Sequence, residues 1–79
     1  MKVDLALFAY LSQYQPDGMG GRHPRALELP DQSRIADVIE LLGLPDQPRV
    51  VFVNGRHAPD DHVLAEGDRL AIFPPVAGG

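Results

Sequence analysis

Only one stretch of this chain carries a helical period, and that narrows its fold more than any other feature. Ile35, Val38, Ile39 and Leu42 recur at i, i+3, i+4 and i+7, the spacing that lines apolar side chains along one face of a helix. Ser33 stands where an N-cap accepts from the free N–H groups of a first turn. Gly43 offers a left-handed closing residue, and Pro45 prevents continuation. A helix of about three turns does not hold itself together in water. It has to lie on a sheet.

The rest of the chain supplies that sheet. Lys2 to Ala9 alternates as a strand, with Val3, Leu5 and Leu7 on one face and Lys2, Asp4 and Ala6 on the other. Ser12 to Pro24 is rich in Gln, Gly and Pro, with Pro16-Asp17-Gly18 as a turn, and reads as a long surface loop. Arg25 to Leu29 forms a short second strand. Arg49 to Val53 is a β-branched run into Asn54-Gly55, a strong hairpin signal, with Arg56 to Ala58 returning. Pro59-Asp60-Asp61 and Glu66-Gly67-Asp68 are turns. Arg69 to Phe73 is the last strand, ended by Pro74, which has no N–H for a ladder. The order β-β-α-β-β-β predicts a two-layer α+β domain: a mixed sheet of four to five strands under one main helix. The first and last strands are the most apolar and belong side by side at its centre.

Composition removes several functions. With 79 residues and no cysteine, one small core has to supply about 3–5 kcal/mol net without disulfides or thiolate metal sites. Seven basic against eleven acidic side chains give a formal charge of −4, with the basic residues scattered singly. Nucleic acid, which requires clustered Lys and Arg, is not an expected partner. No apolar run approaches membrane-spanning length and no signal-peptide pattern opens the chain, so a cytoplasmic protein is expected.

No catalyst is visible either. His23, His57 and His62 lie far apart and lack partners at metal or triad spacing, which reads as surface histidines and no metal site. Gly18 to Gly21 lacks the Lys-Ser/Thr of a phosphate loop and does not open the helix. Asp60, Asp61 and Asp68 are turn residues. Strand parity makes a different prediction. If Leu7, Val51, Val53, Leu70 and Ile72 face the helix, then Phe8, Phe52 and Phe73 all point away from it. A cluster of three outward phenylalanines marks a contact surface.

The end of the chain is equally distinctive. Phe73-Pro74-Pro75-Val76-Ala77-Gly78-Gly79 runs from a core strand through two stiff prolines to a bare diglycine. Together with Val53-Asn54-Gly55, Gly67-Asp68 and the element order, it resembles the MoaD/ThiS family of ubiquitin-like sulfur carriers, the MoaD branch most closely. The resemblance implies a β-grasp domain over residues 1–75 and a flexible tail over 76–79. It implies that the Gly79 carboxylate, preceded by Gly78, is adenylated by an E1-like enzyme using ATP and magnesium. A sulfur donor then converts it to a thiocarboxylate, and a larger molybdopterin synthase subunit receives the sulfur. The carrier itself is expected to bind no cofactor. Phe8, Phe52, Phe73, Pro74, Pro75, Val76 and Ala77 are the expected partner-binding residues. Carriers for thiazole, cysteine or tungsten-cofactor routes, and protein modifiers joined through Gly79, share this outline.

Overall fold

The computed structural model describes residues 1–14 and 25–75. Its elements are β1 (Lys2–Leu7), a 3-10 helix (Ala9–Tyr14), β2 (Arg25–Glu28), α1 (Ile35–Leu42), β3 (Val50–Val53), β4 (Arg56–His57) and β5 (Arg69–Phe73). The five strands form one sheet in the order β2-β1-β5-β3-β4. β1 and β5 pair in parallel at the centre, while the other three pairings are antiparallel. The central placement of the first and last strands follows from burial. Leu5, Leu7, Leu70 and Ile72 are all at most 1% exposed, which only the middle of a sheet beneath a helix provides.

One side chain in two from these strands enters the core. Val3, Leu5 and Leu7 from β1, Val51 and Val53 from β3, and Leu70 and Ile72 from β5 meet Ile35, Val38 and Ile39 of α1. Leu42, the fourth member of the helical stripe, is only half-buried and packs at its margin. Asn54 (φ 53°) and Gly55 (φ 80°) both adopt left-handed backbone, the two-residue turn whose twist matches that of a hairpin. The Asn54 side chain then ties this hairpin to the turn before β5. Its Nδ2 donates to Asp68 Oδ1 at 2.9 Å, and its Oδ1 accepts from the Arg69 N–H at 2.9 Å.

Three local expectations are corrected. The helix cap is Arg34, not Ser33, whose buried hydroxyl donates to the Pro30 carbonyl at 2.7 Å. Asp37 closes the first turn by accepting from the Arg34 N–H at 2.8 Å. The N–H groups of Ile35 and Ala36 donate to the carbonyls of His62 and Asp60. The orphan donors are therefore satisfied by a neighbouring loop's backbone, a long-range solution that local spacing does not reveal. The far end does behave as read: Gly43 sits at φ 69°, and Leu44 N–H reaches Ile39 O at 3.1 Å.

The second correction lies after β1, which ends at Leu7 and does not run to Ala9. Phe8 N–H still donates to Ile72 O at 3.1 Å, but Ala9 (φ 54°) turns the chain into the 3-10 helix. Leu11 on that helix is buried beneath the turn, a sink for apolar surface that rewards leaving the sheet. Residues 12–14, read as the start of a loop, are thus helical; the remainder of that loop, 15–24, lies outside the described residues. The third concerns β4, which is two residues long, with Ala58 buried in the core beyond it.

Candidate functional site

The parity that sends alternate residues of β1, β3 and β5 into the core sends Phe8, Phe52 and Phe73 to the opposite face. Register brings them together. Leu7 pairs with Ile72, and Val50 with Phe73, so the three rings fall on adjacent strands at one end of the sheet. Phe8 and Phe73 stack with centroids 4.2 Å apart and planes 7° from parallel. Phe52 meets Phe73 edge-on, at 5.8 Å and 82°. Each ring is half-buried. Aromatic pairs of these geometries add about 0.5–1.5 kcal/mol each beyond area burial, so the patch is preorganised.

Two hollows flank the rings. One, of about 430 Å³, is lined by Phe8, Ala9, Val50, Phe52, Phe73, Pro74 and Pro75. The other, of about 460 Å³, has a floor of Ala6 and Ala71, with Phe8, Phe52 and Phe73 at one end and Asp4, Gly55 and Arg69 at the other. The outer face therefore grades from aromatic to charged along β5. Pro74 is half-buried and Pro75 exposed at the aromatic end. Neither has an N–H to extend the ladder, and their fixed φ limits where the chain goes next. Of the expected site residues, Phe8, Phe52, Phe73, Pro74 and Pro75 thus converge on one surface. Val76, Ala77, Gly78 and Gly79 lie outside the described residues.

His57 joins this surface, a residue assigned only to the solvent by spacing. It sits opposite Phe52 in the β3–β4 ladder, with its ring edge-on at 5.8 Å and 86°. The signal was present in the chain: a two-residue Asn-Gly turn leaves a single register, and that register pairs Phe52 with His57. His62 instead lies at the helix N-terminus, where its carbonyl accepts from Ile35; His23 is outside the described residues. Asp68 uses both carboxylate oxygens locally, for Asn54 and for the Ala65 N–H at 2.8 Å. Asp60 pairs with Arg49 at 3.4 Å. Among the described residues no three His, Asp or Glu side chains group as metal ligands, and no helix is long and apolar enough to cross a membrane.

A five-stranded mixed sheet with parallel central strands, one helix on one face and an aromatic patch on the other defines a ubiquitin-like β-grasp protein. The chain belongs to the ThiS family, whose model matches residues 7–79, and is a ubiquitin-like protein of the MoaD/ThiS type, a sulfur carrier or a protein modifier. It is similar to a molybdopterin converting factor subunit 1 from Pyrococcus furiosus, at 27% identity over 96% of this chain and 99% of that one, with a TM-score of 0.75. SAMP1 from Haloferax volcanii shares 25% identity over the whole of both chains, with a TM-score of 0.71. The fold also matches a chain in the complex of subunits 1 and 2 of molybdopterin-converting factor from Helicobacter pylori, at 15% identity over the whole of both chains and a TM-score of 0.62.

Proposed function

We propose that this chain carries sulfur as a thiocarboxylate on Gly79, as the small subunit of a molybdopterin synthase working in the cytoplasm. The observation that carries the reading is the position of Pro74-Pro75: the central strand hands the chain over to the tail at the rim of the aromatic patch. Docking the patch on a partner therefore delivers whatever follows Pro75. From Val76 to Gly79 the chain reaches roughly 13–14 Å when extended, enough to place a carboxyl group inside an enclosed active site. Glycines suit such a passage because they have no side chains to exclude.

The chemistry belongs to the partners. A carboxylate is a poor electrophile; an E1-like enzyme joins it to the adenylyl group of ATP, with magnesium, and releases pyrophosphate. A sulfur nucleophile from a donor protein then attacks the acyl carbon and AMP departs. Enclosure keeps water from that mixed anhydride. Phe8, Phe52 and Phe73 serve as the docking surface for the activating enzyme and for the larger synthase subunit. The molybdopterin route is supported by the likeness to the Pyrococcus protein and by the fold shared with the two-subunit Helicobacter complex.

A second reading, a protein modifier joined to lysines through Gly79, is favoured by the end-to-end likeness to SAMP1, which is a small archaeal modifier protein. Intact mass separates the two. Purified from cells with its activating system, a carrier shows a species about 16 Da heavier, the exchange of oxygen for sulfur at an activated acyl carbon. A modifier appears in covalent conjugates. Deleting Gly79, or adding a residue after it, is expected to abolish sulfur transfer while the unfolding curve stays unchanged. Retained transfer in either variant would sink the reading.

A further inference from the structure

Along β1 and β5 the outer face of the sheet is ordered in rows. Parallel pairing sets Asp4 beside Arg69 and Ala6 beside Ala71. At the next outward level, just beyond β1, Phe8 stacks on Phe73 at 4.2 Å. Each row holds either two alike side chains or two of opposite charge. Lys2, Asp4 and Arg69 take up the end away from the rings, and all three are exposed. Among the described residues neither the Asp4 carboxylate nor the Arg69 guanidinium has an ion-pair partner. What is bonded there is backbone: Asp4 N–H donates to Asp68 O, and Arg69 N–H to Asn54 Oδ1.

That order is self-complementary. A two-fold axis in an interface maps one patch onto itself, so residue i has to suit residue j as j suits i. Laid along the strands, between β1 and β5, such an axis puts β1 of one copy over β5 of the other. Asp4 then faces Arg69 twice, Ala6 faces Ala71, and Phe8 faces Phe73. The arrangement is that of two aligned, stacked sheets. Such sheets lie about 10 Å apart, a gap that an aspartate and an arginine span together and that two phenylalanines also span. An axis across the strands, through the alanine row, fails the same check. It lays the Asp4 carboxylate on the Phe8 ring, where a desolvated charge has no partner.

We propose that the outer face also takes a second copy of this chain, in a symmetric pair closed by the Phe8–Phe73 rows and by two Asp4–Arg69 ion pairs. Across β2, β1, β5 and β3 the face measures about 19 Å, and along β5 about 17 Å. That is well short of the roughly 800 Å² per partner found in stable complexes, so the pair is transient and grows with concentration. The formal charge of −4 on each copy opposes association at long range. The ion pairs fix the register more than they add affinity. On the reading of this face as the docking surface for partner enzymes, the pair covers it in the free protein, and a partner gains access by displacing the second copy. Pairing itself is measured with no partner present, so its failure is distinct from the failure of that reading.

Sedimentation equilibrium of the full chain, alone, from about 10 μM to about 1 mM tests the proposal. The average mass is expected to rise from the 8.6 kDa of one copy toward twice that value. Arg69→Asp sets a carboxylate opposite each Asp4, and Asp4→Arg sets a guanidinium opposite each Arg69. Either variant alone is expected to associate at least tenfold more weakly than the wild type. Mixed in equal amounts the two are complementary at both places, and the mixture is expected to recover wild-type association. Both positions are exposed, and thermal melting checks that the variants remain folded. A wild-type chain that keeps the mass of one copy over the whole range overturns the proposal. So does association that the single variants leave unchanged, which would put the contact on another face, or a mixture that associates no better than its components.

Discussion

The two faces of the sheet are built from the same strands, one residue out of step. On the helix side Leu5, Leu7, Leu70 and Ile72 are sealed and make the core. On the other side Phe8, Phe52 and Phe73 bury one another only in part. The larger and more hydrophobic side chains thus lie outside, where a monomer gains less from them, while branched aliphatics fill the interior. The contrast separates two tasks: the inner face keeps the domain folded, and the outer face holds rigid apolar surface ready for a partner. A protein optimised for solubility alone would reverse that choice.

The most severe way to break the contrast is to attack the inner face. Leu70→Ala removes a side chain that is 1% exposed and is expected to cost about 2–5 kcal/mol. That is comparable to the whole stability expected of a domain this small; urea denaturation should show a largely unfolded chain. Phe73→Ala strikes the outer face at its centre. It removes the ring contacts to both Phe8 and Phe52, for about 1–3 kcal/mol of stability, yet partner affinity is expected to fall tenfold or more by calorimetry. Equal losses of stability in Leu70→Ala and Phe73→Ala would erase the distinction between the faces.

Smaller effects sharpen it. Asn54→Ala deletes the two side-chain hydrogen bonds to Asp68 and Arg69 and places alanine at φ 53°. A loss of about 1–2 kcal/mol is expected, with thiocarboxylate formation unchanged at temperatures where the domain is folded. Ala9→Gly relieves the left-handed alanine that turns the chain away from the patch (φ 54°). The relief is partly offset by the freer unfolded chain, so thermal melting should show a gain within about 1 kcal/mol. A substantial destabilisation would mean that the alanine methyl itself packs in the hollow beside Phe8.

Much of this was legible in the chain because it depends on period and on turn chemistry. The 3.6-residue stripe located α1, the Asn54-Gly55 pair located the hairpin, and alternation assigned the three phenylalanines to the face away from the helix. Where reading failed, the deciding partner was distant in sequence. Ser33 has the chemistry of a cap, but Arg34 takes the position because the carbonyls of Asp60 and His62 come within reach of the first turn. Alternation through Ala9 suggested a longer strand, but the burial of Leu11 beneath a 3-10 turn ended it early.

The sequence alone therefore determined which residues of the central strands face the core, which face carries the aromatics and that a diglycine follows two prolines, since each depends on neighbours a few positions away. Only the tertiary structure decided that Phe8 stacks on Phe73 at 4.2 Å and that Pro74-Pro75 open at the rim of that cluster. It also decided that Lys2 stands at the opposite end of the sheet. These facts follow from the parallel pairing of the first strand with the last, a contact between the most distant parts of the chain. No local pattern encodes its register; it is set when both strands close over one core.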